Sequence, residues 1–182
     1  EPEMEDASYA YRPGRSVSQA VARVARLRRE GYRWVVDADI ERYFETVPHD
    51  PLVERLAQVV DDARVTALVE LWLETYGAGR GLPQGAPISP VLANLYLDEV
   101  DEAIEGSGVR LVRFADDFVL LCKSAARAEA AQAKVAGLLG DLGLRLNPEK
   151  TRIVSYDQGF RFLGHLFVRA MVLKELGDLD DD

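Results

Sequence analysis

Residues 109–122 read VRLVRFADDFVLLC: two apolar runs, LVRFA and FVLLC, flank the pair Asp116-Asp117, which is the spacing of a two-residue β-hairpin. Upstream, residues 32–40 read YRWVVDADI, rich in β-branched and aromatic residues and so a strand. Its period of two puts Val35, Asp37 and Asp39 on one face. If strand and hairpin are neighbours in one sheet, facing side chains lie roughly 5 Å apart at Cβ. Carboxylates that close repel one another and raise one another's pKa unless a cation sits between them. Magnesium is the natural cation, being hard, oxygen-liganded and content with one or two carboxylates plus substrate phosphates. The layout is that of a two-metal phosphoryl-transfer site. The plain alternatives are an ordinary acidic turn at Asp116-Asp117 and a surface ion pair at Asp39.

The flanking sequence supplies the frame. Ser16 with Gln19 reads as a capping box, and Val17, Ala20, Val21, Val24 and Leu27 recur at helical spacing up to Gly31. The other side of that helix carries Arg23, Arg26 and Arg29. Asp50-Pro51 reads as an N-cap and a first helical proline, and a second helical period runs through Val65, Leu68, Val69, Trp72 and Tyr76. The stretch YGAGRGLPQGAP, residues 76–87, holds four glycines and two prolines and is a loop of tight turns. Ser89-Pro90 opens a helix whose stripe is Val91, Leu92, Leu95, Tyr96, Val100 and Ile104. An alanine-rich helix runs from Ser124 to about Leu142 and ends at Gly143. Short strands are expected over 144–146, 152–156, 160–163 and 165–172. Strand and helix without strict alternation predict an α+β domain, an antiparallel sheet with helices on one face.

The chain has 182 residues, 48% apolar and 29% charged, which is ordinary globular usage and excludes a disordered or fibrous chain. It divides into an acidic segment 1–8, a domain over 9–173 and an acidic tail 174–182. No apolar run approaches a membrane span, and one cysteine, Cys122, with two histidines leaves no internal disulfide and little for zinc. The cytoplasm is the default location. The net charge of -9 argues against a protein that holds nucleic acid by bulk electrostatics alone, yet Tyr11 to Arg33 holds seven arginines against one acid. That arm suits an anionic ligand gripped at one edge, or else a solvated helix face.

The strings AYRPGRS, DADIERYFETVPHD, GLPQGAPISPVLANLYLD, RFADDFVLL, GLRLNPEKT and FRFLG occur in this order from about Tyr9 to Val172. In order and spacing the chain resembles the group II intron-like reverse transcriptases. Segments RWVVDADIERYFETVPHD and FLGHLFVR make it most like those joined to the CRISPR spacer-acquisition integrase. The resemblance implies a polymerase palm with part of the fingers, the rest of the fingers and the thumb largely absent, acting as an RNA-directed DNA polymerase. It makes Asp39, Asp116 and Asp117 catalytic and metal-binding, with the Ile40 backbone carbonyl as a further ligand, for two magnesium ions or manganese in their place. Asp37 has no firm counterpart in that set. Phe44 matches the aromatic that crowds the 2' position of the incoming nucleotide, Gln84 the residue at the nascent pair, and Lys150 a lysine near the triphosphate. Gly81 and Gly85 permit close backbone approach, Gly85 at the nucleic acid, and Arg12 and Arg15 match a segment near the template. Partners implied are an RNA or DNA template with a DNA primer, deoxynucleoside triphosphates, and a fused or associated integrase or separate fingers and thumb. No membrane is implied.

Two departures stand out. The hairpin reads FADD where the family usually has YADD, and Glu45 stands where aspartate is common. For Phe44 the plain reading is a core aromatic, and for Lys150 an exposed lysine. Two rival functions remain: a haloacid-dehalogenase-like phosphatase, with Asp37 as nucleophile and Asp39 as acid, and a palm kept as a nucleic-acid-binding module.

Overall fold

The computed structural model describes residues 7–104 and 107–174. Helix α1 (Val17–Arg29) starts where Ser16 accepts a hydrogen bond from the Gln19 N–H, and the chain leaves it through Gly31 at φ 93°. Strand β1 (Trp34–Ala38) follows, then the one-turn α2 (Tyr43–Thr46), α3 (His49–Val59) and α4 (Ala63–Tyr76). After the glycine-rich loop come α5 (Ser89–Ile104), β2 (Arg110–Phe114), β3 (Asp117–Cys122) and α6 (Ala125–Asp141). The chain closes with β4 (Arg152–Ser155), β5 (Phe160–Phe162), β6 (His165–Val168) and β7 (Met171–Lys174).

One four-stranded antiparallel sheet, in the order β2-β3-β1-β4, centres the molecule, and β5-β6-β7 form a second. Strand alternation sorts the side chains. Val36, Ala38, Leu111, Phe118, Leu120 and Cys122 face a core built with α3, α4, α5 and α6. Val35, Val112, Val119 and Leu121 face a second core with α1 and the aromatic cluster Tyr156, Phe160 and Phe167. The α+β antiparallel architecture is as expected, with α1 and the small sheet covering the face away from α5 and α6. Cys122 is a free, buried thiol, and burial pushes it up to about 11.

Several local expectations shift. Helix α3 begins at His49, not after Asp50, because the His49 N–H donates to Gly79 O at 3.0 Å and its Nε2 lies 2.7 Å from Gly81 O. Pro51 therefore sits inside the first turn, where its missing N–H costs nothing. The expected strand 144–146 is a single bridge, Ile40↔Leu146. The apolar run 165–172 is two strands, because Arg169 at φ 54° reverses the chain. On α4 only Val69 and Leu73 are buried, and Val65, Leu68, Trp72 and Tyr76 lie exposed with Leu71. Val91 on α5 is exposed too. Of the acidic ends, residues 1–6 and 175–182 lie outside the described residues. Ser8 bridges Arg113 along β2, and the expected boundary after 173 falls within β7. Among the described residues no helix is long and apolar enough to cross a membrane.

Candidate active site

The acidic hairpin is offset by one residue from its sequence reading. Phe114 pairs with Asp117, so the two loop residues are Ala115 and Asp116, and Asp117 opens β3. Ala115 adopts φ 60°, a left-handed conformation that alanine rarely takes. Its carbonyl is held by Arg113 Nη1 at 3.0 Å, which fixes the turn.

Strand β1 ends at Ala38, and a second segment straps the chain that follows. The Asn147 N–H donates to Asp39 O at 2.8 Å, the Glu41 N–H to Arg145 O at 2.9 Å, and Thr151 Oγ1 accepts from the Asp39 N–H at 3.4 Å. One step beyond the Ala38↔Phe118 pair, this register sets Asp39 opposite Asp117. Asp37, Asp39 and Asp117, with Glu149, Lys150 and Arg152, line an open cleft of about 340 Å³. Arg152 pairs with Asp37 at 2.9 Å, and Lys150 Nζ stands 3.4 Å from Asp39.

The electrostatics record the crowding. Partial burial, then the charges of Asp37, Asp116 and Asp39, push Asp117 up to about 6, against a hydrogen bond from the Leu163 backbone N–H. Burial raises the Asp37 carboxyl, Arg152 opposes this, and Asp39 adds to it. Asp116, in the turn, acts on Asp117 and also on the buried Tyr43 hydroxyl. That hydroxyl donates to Ala93 O at 2.6 Å and is held well above its usual range, mainly by burial.

These residues fit a divalent cation by donor type. They are hard carboxylate oxygens whose mutual repulsion, visible at Asp117, a cation would relieve. As they stand, no three such side chains among the described residues converge closely enough to hold one. Lys150 and Arg152 neutralise Asp39 and Asp37 instead. Asp39, Asp116 and Asp117, the set that the resemblance implies, carry the donor type that magnesium takes. Ile40, buried at 3%, follows Asp39 directly, so its carbonyl belongs to the same segment.

Phe44 is half-buried against the main core, edge-on to Tyr43 with centroids 5.6 Å apart. The Leu82 N–H donates to Phe44 O at 2.6 Å and the Gly81 N–H to Val47 O at 2.8 Å. The glycine-rich loop thus docks on the Phe44 segment. At Gly81, φ 96° and Glu45 O, 3.3 Å from where a Cβ would stand, require glycine. Gln84 and Gly85 are exposed, in the turn where the Ala86 N–H reaches Pro83 O at 3.4 Å. Arg12 bonds Ser8 O at 3.0 Å and Arg15 lies over the Tyr9 ring at 5.2 Å, on the segment that edges β2. This places them by the hairpin strand, not in the carboxylate cleft.

Sequence reading missed Arg152, Thr151, Asn147 and the Leu163 N–H, all brought in by β4 and the small sheet. For Arg152 the signal was its place at the start of a strand: the β1/β4 register puts it opposite Asp37. Asp37, the nucleophile of the phosphatase reading, is the carboxylate that Arg152 engages.

The chain matches the family described as "Reverse transcriptase (RNA-dependent DNA polymerase)" over residues 2–167. It is 34% identical to Protein YkfC of Escherichia coli K12, over 89% of this chain and 55% of that protein. It is 32% identical to the group II intron-encoded protein LtrA of Lactococcus lactis, over 57% of this chain and 18% of that protein. The chain thus spans about half the length of the first relative and less of the second. In fold it matches telomerase of Candida tropicalis, solved with a fragment of telomeric RNA, at TM-score 0.74 and 13% identity, over 95% of this chain and 34% of that one.

Proposed function

Since the chain belongs to the reverse transcriptase family, we propose that it is the palm of an RNA-directed DNA polymerase that extends a primer 3' end by two-metal phosphoryl transfer. The observation that supports this best is the register that sets Asp39 opposite Asp117, with Asp116 in the adjoining turn and Lys150 beside Asp39. Bound magnesium would supply charge neutralisation at the attacking and leaving oxygens. The protein's own part is to hold Asp39, Asp116 and Asp117 at one end of the sheet, and to offer Lys150 as a point charge near the departing phosphates. Phe44, Gln84, Gly85, Arg12 and Arg15 would line the nucleotide and template path. The catalytic unit is residues 9–173, and its substrates are a primed RNA or DNA template and deoxynucleoside triphosphates.

Primer extension tests the reading. Asp39→Asn or Asp116→Asn should lower it by about 100-fold or more, because each removes a charge that places the metal. A loss of only a few-fold would sink the two-metal assignment. Asp37→Asn should be milder, since Arg152 already engages that carboxylate. The finer assignment, to enzymes working with a CRISPR spacer-acquisition integrase, rests on RWVVDADIERYFETVPHD and FLGHLFVR. Co-purification of an integrase with the protein from its own cells tests that partner, and its absence from the purified polymerase would overturn it.

A further inference from the structure

Behind the turn that carries Asp116 lies a buried polar cluster to which the polymerase reading gives no role. Arg113, 2% exposed, reaches from β2 to α5: its Nε donates to the two oxygens of Asp101 at 2.8 and 3.0 Å, and Asp101 is wholly buried. Its Nη1 donates to Asn94 Oδ1 at 2.9 Å and to Ala115 O at 3.0 Å. Asn94 in turn donates to Ala10 O at 2.7 Å, and the Arg113 backbone exchanges bonds with Ala7 and Tyr9. One guanidinium therefore joins α5, the edge of β2 and the loop of the carboxylate hairpin.

Stability alone is a poor reason for this arrangement. A buried ion pair loses in desolvation much of what it gains in attraction, and well-packed apolar residues usually serve a core as well. What the guanidinium offers is a rigid fork of donors that can satisfy several acceptors at fixed angles. The acceptor that lies in the hairpin turn is Ala115 O. It belongs to the peptide that joins Ala115 to Asp116, and Ala115 is held in the left-handed region, which persists only where the surroundings over-determine it. Rotation of that peptide would move the Asp116 carboxylate relative to Asp117, on whose ionisation it acts.

We propose that Arg113 is a positioning residue that acts through the Ala115–Asp116 peptide to fix the Asp116 carboxylate for the metal-dependent step, an inference that rests on the polymerase reading above. The lysine variant Arg113→Lys keeps the charge opposite Asp101 but cannot also span Asn94 and Ala115 O. It should stay folded and lower kcat for primer extension about tenfold or more, as small misplacements of catalytic groups do. KM for deoxynucleotide and affinity for primer-template should stay within about twofold, while the magnesium concentration for half-maximal rate rises. The double variant Arg113→Met with Asp101→Leu removes the pair without stranding a charge, and should be equally slow.

The outcomes separate cleanly. An unsubstituted protein that extends no primer overturns the polymerase reading itself. An active one whose folded variants extend within about twofold of it overturns the positioning role alone. So does a loss that merely follows the fraction unfolded by circular dichroism, with no change in magnesium dependence. If neither variant folds, Arg113 serves the fold and the proposal is wrong.

Discussion

Asp117 is a carboxylate among carboxylates, and its ionisation shows what partial burial beside them costs the fold. Its folded pKa stands at about 6 against an ordinary 3.8. A raised acid binds its proton more tightly when folded, so the stability it contributes is present below the ordinary value and lost as pH rises through the folded one. With divalent ions chelated, Asp117→Asn should raise Tm by a few degrees above pH 6 and leave it unchanged near about pH 4. Thermal unfolding followed by circular dichroism at the two pH values checks this, and a uniform shift at both would break the link to carboxylate crowding. Because the side chain is partly open to solvent, screening keeps the effect modest. Phe44 offers a second residue-level test. Its backbone is tied to Leu82 and its ring to Tyr43, so truncation should open space without loosening the segment. Phe44→Ala should raise ribonucleotide relative to deoxynucleotide incorporation by roughly tenfold or more. An unchanged ratio in an active variant would return Phe44 to plain core packing.

Among the elements, the glycine-rich loop gains its shape from what it docks on. Gly81 and Gly85 both have positive φ, 96° and 84°, yet only Gly81 has atoms waiting where a Cβ would go: Glu45 O, Phe44 O and the Tyr76 ring. Gly81→Ala should cost about 1–3 kcal/mol and Gly85→Ala only the backbone strain of about 1. Denaturant melts of the two variants should rank in that order, and the reverse ranking would mean that docking does not set the loop. The same contrast explains what the sequence could reveal. Helices α1 and α6 were legible because their signals are local: Ser16 and Ser124 cap them, and Gly31 and Gly143 follow them. The hairpin was legible in kind but not in register, because the left-handed turn at Ala115 is held by a buried arginine rather than announced by glycine or asparagine. Arg169 hid the β6–β7 reversal in the same way, a non-glycine residue at φ 54° inside an apolar run. Asp39 and Asp116 could be singled out from sequence, whereas the partners of Asp37 and Asp39 depended on where β4 would pair.

At the scale of the whole molecule, the polymerase reading requires an acidic protein of net charge -9 to meet a polyanionic duplex with a minority of its surface. The arginines of Tyr11 to Arg33 are the candidates, and the structure already commits some of them. Arg28 pairs with Asp157 at 2.9 Å, Arg26 lies 3.6 Å from Glu30, and Arg15 sits over Tyr9. Arg26 and Arg29 are both exposed on α1, one turn apart. Each phosphate neutralised adds about -0.9 to the slope of log K against log salt, so a small footprint gives a shallow slope and weak binding. The 182-residue chain should therefore bind an RNA-DNA hybrid weakly at moderate salt. Arg26→Gln with Arg29→Gln should make the slope shallower by about 2 if this face meets the backbone. Fluorescence anisotropy of a labelled hybrid across a salt series measures both. If the double variant keeps the full slope, phosphate contact lies elsewhere. If the unsubstituted chain binds tightly at high salt, then contacts other than ionic ones hold the duplex, and the expectation of weak binding from charge fails.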